Sequence, residues 1–187
     1  MRDLRPWTHA ALYGALWGAL EATIGTAIHL GRVPFRGEIM GLLGLVCLVC
    51  LRRLQPRTGV VLVAGLTAIF LKVFTLGGLY PGPLVGIATQ ALAVEFGFLV
   101  ARGPLAAALG GVIALGTNPI QRVITAWIVG GSEAATAVLR AVGEIGGVEA
   151  KWVLAGFVGL AASIGAVGGV FAWRLAGRVV RRLGGGS

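Results

Sequence analysis

Aspartate occurs only once in the 187 residues, at Asp3, and histidine and cysteine only twice each. So few carboxylates exclude the Asp-rich motifs with which membrane transferases hold magnesium diphosphates. His9 and His29 bracket one apolar stretch, which at ~1.5 Å rise per residue sets them about 30 Å apart. They cannot share a metal or the two axial positions of a haem. Cys47 and Cys50 form a C-x-x-C pair, but Leu45, Val46, Leu48 and Val49 around them are apolar. A redox or zinc pair needs polar access, and zinc needs further ligands. A phosphate-cradling G-x-x-x-x-G-K-[ST] loop, an H-E-x-x-H helix and a G-x-S-x-G turn are missing as well. The sequence therefore predicts no enzyme, no catalytic residue, no metal and no other cofactor. Energy for any uphill step would come from ions or from a partner.

Charge is scarce too. Asp, Glu, Lys and Arg make up 12% of the chain, against ~25% in soluble domains. Hydrophobic residues make up 57%, and the mean hydropathy is +0.89. These values exclude a disordered chain, a collagen and a secreted disulfide scaffold, and mark a polytopic membrane protein. The net charge of +9 suits nucleic acid, anionic lipid or the orientation of membrane spans. Its distribution decides among them.

A membrane helix takes ~20 mostly apolar residues. Six such stretches are read along the chain: Ala10–Leu30, Glu38–Leu51, Thr58–Thr75, Pro83–Ala101, Pro104–Val129 and Trp152–Leu175. The second is short for a full crossing, and the fifth is interrupted at Asn118 and Pro119. No stretch has the form of a removed signal peptide. Arg2, Arg5, Arg52, Arg53, Arg57, Arg102, Arg174, Arg178, Arg181 and Arg182 fall on one side of these spans, with Asp3 their only acid. The other side carries Arg32 and Arg36, the uncharged turn Leu76–Gly82, and a mixed segment with Glu133, Arg140, Glu144, Glu149 and Lys151. Excess positive charge marks the cytoplasmic side, so both termini are expected in the cytoplasm. Most of the charge is then a topology signal, which leaves membrane lipid near the basic tail and no role for nucleic acid. The expected fold class is all-α: a six-helix transmembrane bundle in the cell membrane, one domain over 1–183 with a flexible Gly/Ser tail over 184–187.

Small residues at four-residue spacing mark helix contacts in lipid. The first span carries the row Ala11, Ala15, Ala19 beside the row Ala10, Gly14, Gly18, Ala22, and the last span pairs Ala155 with Gly159 and Ala161 with Gly165 and Gly169. Glu21, Lys72 and Glu95 are ionisable groups within spans, where a charge costs ~2.5–3.5 kcal/mol at mid-bilayer and calls for a partner or a function. Lys72 lies within about one turn of the outer surface and is able to snorkel; Glu21 and Glu95 are deeper, and a structural clamp suits them as well as a ligand role. Thr117, Asn118, Pro119, Gln121 and Arg122 make the fifth span polar and Pro-broken, which is tolerated only against protein or a water-filled cavity. With Gln90 and Lys72 these groups converge on the outer half of the membrane, under the turn Thr75–Pro83. Residues 133–147 read as a short amphipathic helix on the outer face, started by Ser132 and lying across a pocket mouth or along the interface.

This layout resembles the S-components, the substrate-binding membrane subunits of energy-coupling-factor (ECF) vitamin transporters. The stretch that carries the likeness is Ala11, Ala15, Ala19 on the first helix, and the resemblance implies that a membrane coupling subunit with cytoplasmic ATPases docks there, along with Gly14 and Gly18. It also implies a ligand held in the outer half beneath the segments Gly31–Gly37 and Leu76–Pro83. The polar break at Asn118 and Pro119 departs from the pattern. On this reading Lys72, Gln90, Asn118, Gln121 and Arg122 contact the ligand, and Arg32 and Arg36 steer its anionic groups. The ligand is expected to be a micronutrient-sized molecule bearing a carboxylate or phosphate. Two other readings stay open: an autonomous small transporter or channel in which Glu21 and Glu95 relay protons or bind a cation, and a noncatalytic membrane scaffold subunit.

Overall fold

Proline and glycine end the apolar runs where the helices stop. The structure, a computed structural model, describes residues 4–31, 35–76, 81–146 and 149–184. Arg32, expected to steer a ligand, lies outside the described residues, as do residues 77–80 of the turn expected to roof the site. The described residues form α1 (Arg5–Leu30), α2 (Arg36–Leu54), α3 (Val60–Leu76), α4 (Pro81–Val100), α5 (Gly103–Gly116), α6 (Asn118–Gly146) and α7 (Ala150–Gly184), and no strand. Pro56 halts α2, since the residue before a proline leaves the helical region; Gln55 closes the helix with its N–H on Leu51 O at 2.8 Å. Pro104 opens α5 in the first turn, where its missing N–H has no helical partner to lose.

The second apolar stretch forms a longer helix than the sequence alone indicates. α2 covers 19 residues, about 28 Å at 1.5 Å per residue, because Arg36 and Gly37 join it at one end and Arg52 to Leu54 at the other. It is also the central helix, in contact with α1, α3, α4, α5 and α7. Leu45, Leu48, Val49 and Leu51 are completely buried, and the indole of Trp17 on α1 packs over Gly44. Most of its middle is covered by protein, Ile39 being exposed near its start, and its charges sit at its two ends.

Around α2, α1 pairs with α3, α5 with α7, and α4 bridges α3 and α5. The pairs approach through small residues. A Cβ at Gly14 would strike the Ala64 carbonyl of α3, and one at Gly165 would strike the Gly111 backbone of α5. This divides the small-residue stripe of the first span. Ala10, Gly14 and Gly18 are buried in the bundle, while Ala11 and Ala19 face outward. Gly14 and Gly18 are thus withdrawn from any docking face, because α3 already occupies them.

Among the described residues three helices are long and apolar enough to cross a membrane: Gly82–Val100, Gly103–Ala141 and Lys151–Arg182, with Val60–Phe74 a shorter apolar helix. Their outward faces carry Leu66, Phe70 and Phe74 on α3 and Leu92, Phe96 and Leu99 on α4, all more than half exposed. Such continuous apolar surface at helical spacing is compatible with insertion in lipid. The arginine-rich end is tied together by side chains. The Arg57 guanidinium stands 5.1 Å from the Trp7 ring and that of Arg53 stands 4.2 Å from the Trp173 ring. Arg53 also donates to the Trp173 carbonyl and fills the notch at Gly177.

Candidate functional site

The first two turns of α2 receive polar groups from α4 and α6. Phe35, with φ 58° in the left-handed region, turns the chain into α2 and leaves Glu38 buried one turn later. Both carboxylate oxygens of Glu38 accept from Arg122 Nη2 at 3.0 Å. Gln90 on α4 is buried and donates its Nε2 hydrogen to the Gly41 carbonyl, and the Asn118 side chain lies beside the same glycine. Gln121 donates to the Gly82 carbonyl at 2.7 Å, joining the starts of α6 and α4. Lys72 on α3 reaches back to α1, donating to Glu21 Oε2 at 3.1 Å and to the Glu21 carbonyl at 3.0 Å. Gly25 and Met40 close around that pair.

Lys72, Gln90, Asn118, Gln121 and Arg122 are therefore gathered at one end of the bundle, opposite the arginine-rich end, and each reaches or flanks a neighbouring helix. Lys72 does not snorkel; it is 6% exposed and paired. Arg36, the first residue of α2, is exposed. Glu95 lies at the other end. Its Oε1 accepts the Gly59 N–H at 2.9 Å and stands 4.0 Å from Arg52 Nη2, while Arg52 Nη1 and Glu95 Oε2 are buried without a hydrogen-bond partner among the described residues. Gly59 has φ 90°, a conformation that favours glycine, and so aims its N–H at the carboxylate. Glu21 and Glu95 bind partners at opposite ends of α3, about 20 Å apart by helix rise, and do not share a site.

Beside the Glu38–Arg122 pair a cleft of about 220 Å³ opens between α2, α6 and α7. Its walls are apolar, with Phe35, Val123, Val138, Leu154, Phe157 and Ile164, and the ion pair stands on its rim. The segment expected as a separate amphipathic helix contributes Val138. It is continuous with α6 except at Gly131, whose φ of 70° and ψ of −166° turn the chain. That backbone region is essentially closed to residues with a Cβ. Arg122 from before the turn and Val138 from after it line one cleft for this reason.

Two participants, Glu38 and Gly41, are not singled out by sequence reasoning. Glu38 stands at the first position of its span and resembles a boundary residue, and Gly41 takes part through its carbonyl, which any residue possesses. An acid at the mouth of a span whose only neighbouring cations are Arg32 and Arg36 was the available signal for Glu38. Cys47 and Cys50 are free and buried in α2. Among the described residues no cluster of three or more His, Cys, Asp or Glu is disposed to hold a metal. Comparison of the chain with protein-family models, with characterised proteins and with solved structures finds no match.

Proposed function

We propose that this protein is a membrane-embedded substrate-binding subunit, a six-span bundle with both termini cytoplasmic, which captures a micronutrient-sized molecule for uptake energised by a separate coupling subunit and its ATPases. The observation that carries the reading is the Glu38–Arg122 ion pair, which lines a 220 Å³ cleft whose other walls are apolar, with Gln90 and Asn118 packed at Gly41 in the next turn of α2, outside the cleft lining. Ligand sites combine mostly apolar walls with a few fixed polar groups, and this cleft has that composition. The sequence carries no nucleotide-binding loop, which is consistent with a partner that supplies the energy. The outward-facing Ala11 and Ala19, with half-buried Ala15 between them, support a close helix contact with that partner, in the manner of the S-components that the layout resembles.

Native mass spectrometry of the protein released from mild detergent tests the reading. A small-molecule adduct, lost in Leu154→Trp, is expected. A chain that carries no adduct after purification from any growth medium and that carries out uptake alone in liposomes is an autonomous transporter instead.

A further inference from the structure

The cleft has a chemical polarity that narrows what it accepts, and the inference rests on reading it as the capture site. Glu38 is buried and both its oxygens are taken by one nitrogen, Arg122 Nη2. The Arg122 side chain is 56% exposed, and its Nη1 and Nε make no hydrogen bond to the described residues. With Glu38 buried and Arg122 exposed, the pair presents chiefly the unengaged donors of Arg122 to whatever enters. A guanidinium with free N–H groups beside apolar walls selects an anion with an apolar body. A 150 Å³ apolar cavity takes benzene. On that scale 220 Å³ holds roughly nine non-hydrogen atoms. A sixteen-carbon acyl chain would need roughly 400 Å³ on the same scale, more than the cleft holds.

We infer that the cleft binds a small monocarboxylate whose aryl or short alkyl body lies between Phe35, Phe157 and Ile164 and whose carboxylate bonds to the free N–H groups of Arg122, with Glu38 as a resident counter-ion that both orients Arg122 and weakens the ligand's hold. The second part sets the sign of an experiment. Gln at position 38 still accepts from Arg122 Nη2 but removes the competing negative charge, so Glu38→Gln tightens carboxylate binding. A purely structural ion pair gives the opposite sign, because its loss loosens the site.

The test is calorimetric titration of the full chain in lipid nanodiscs with 3-phenylpropanoate and its neutral isostere 3-phenylpropanamide. The carboxylate is expected to bind roughly tenfold more tightly than the amide, the difference that a hydrogen bond to a charged group makes. That preference disappears in Arg122→Gln and in the double variant Glu38→Gln/Arg122→Gln, which leaves no buried charge unpaired and so keeps the fold. In Glu38→Gln the carboxylate binds several-fold more tightly. Equal binding of the two probes, binding of neither, or weakened carboxylate binding in Glu38→Gln overturns the inference. An adduct in native mass spectra alongside any of those results leaves the capture function standing with another ligand class, whereas the lack of any adduct ends that function itself.

Discussion

The pairing of Lys72 with Glu21 illustrates how a single residue decides between stability and function. Lys72 and Glu21 side chains are 7% and 14% exposed, so neither is solvated when the other is lost. Removing one partner of a buried pair costs about 3–5 kcal/mol, whereas replacing both with apolar or neutral residues is often tolerated. Lys72→Met is therefore expected to lower the midpoint of thermal unfolding in detergent sharply, and Glu21→Gln/Lys72→Met to restore most of it. A double variant as unstable as the single one contradicts this account. The sequence makes these charges visible as intramembrane ionisable groups but not their partners, because Glu21 and Lys72 lie on helices that meet only after folding. Arg122 was legible from the polar break around Pro119. Glu38, its partner, was not, since an acid at the start of a span reads as a boundary.

At the scale of the helix, α1 shows two faces of the same composition with different duties. Ala10, Gly14 and Gly18 hold α3, while Ala11 and Ala19 look outward; four-residue spacing identifies both rows and does not say which is covered. Gly14→Ala is expected to destabilise the bundle by about 1–3 kcal/mol through overpacking against the Ala64 backbone. Ala11→Leu is expected to stay within about 0.5 kcal/mol of the parent, and under the proposed function to reduce co-purification of the coupling subunit. Chemical unfolding and affinity capture read the two effects separately. In α6 the break at Gly131 has no sequence signal stronger than Gly130 and Gly131 themselves. Gly131→Ala, in a backbone region that costs about 1–3 kcal/mol for a side chain, should speed amide exchange over residues 132–141 and weaken whatever the cleft retains.

For the molecule as a whole, the apolar runs announced most helices, but the stretch read as one span over Pro104–Val129 divides at Thr117 into α5 and the start of α6; the charge asymmetry announced that one end is basic. The order in which helices pack was not announced, because α2 is the least apolar-looking span and yet the most enclosed. The proposed six-span orientation is open to direct measurement. In a chain with Cys47→Ala and Cys50→Ala, an impermeant thiol reagent is expected to reach Arg57→Cys and Arg178→Cys only from the cytoplasmic side and Glu133→Cys only from outside. Labelling of all three from one side rejects the six-span arrangement. The enclosure of α2 also bears on how the protein is made. Glu38 finds Arg122 84 residues later, and Arg53 finds Trp173 120 residues later. At ~5–20 residues per second a ribosome needs roughly 6–24 s to cover the longer gap. For that interval a helix with charges at both ends waits with part of its covering still unmade, so the steps that guard a nascent chain, more than the finished bundle, set how much of this protein reaches its final form.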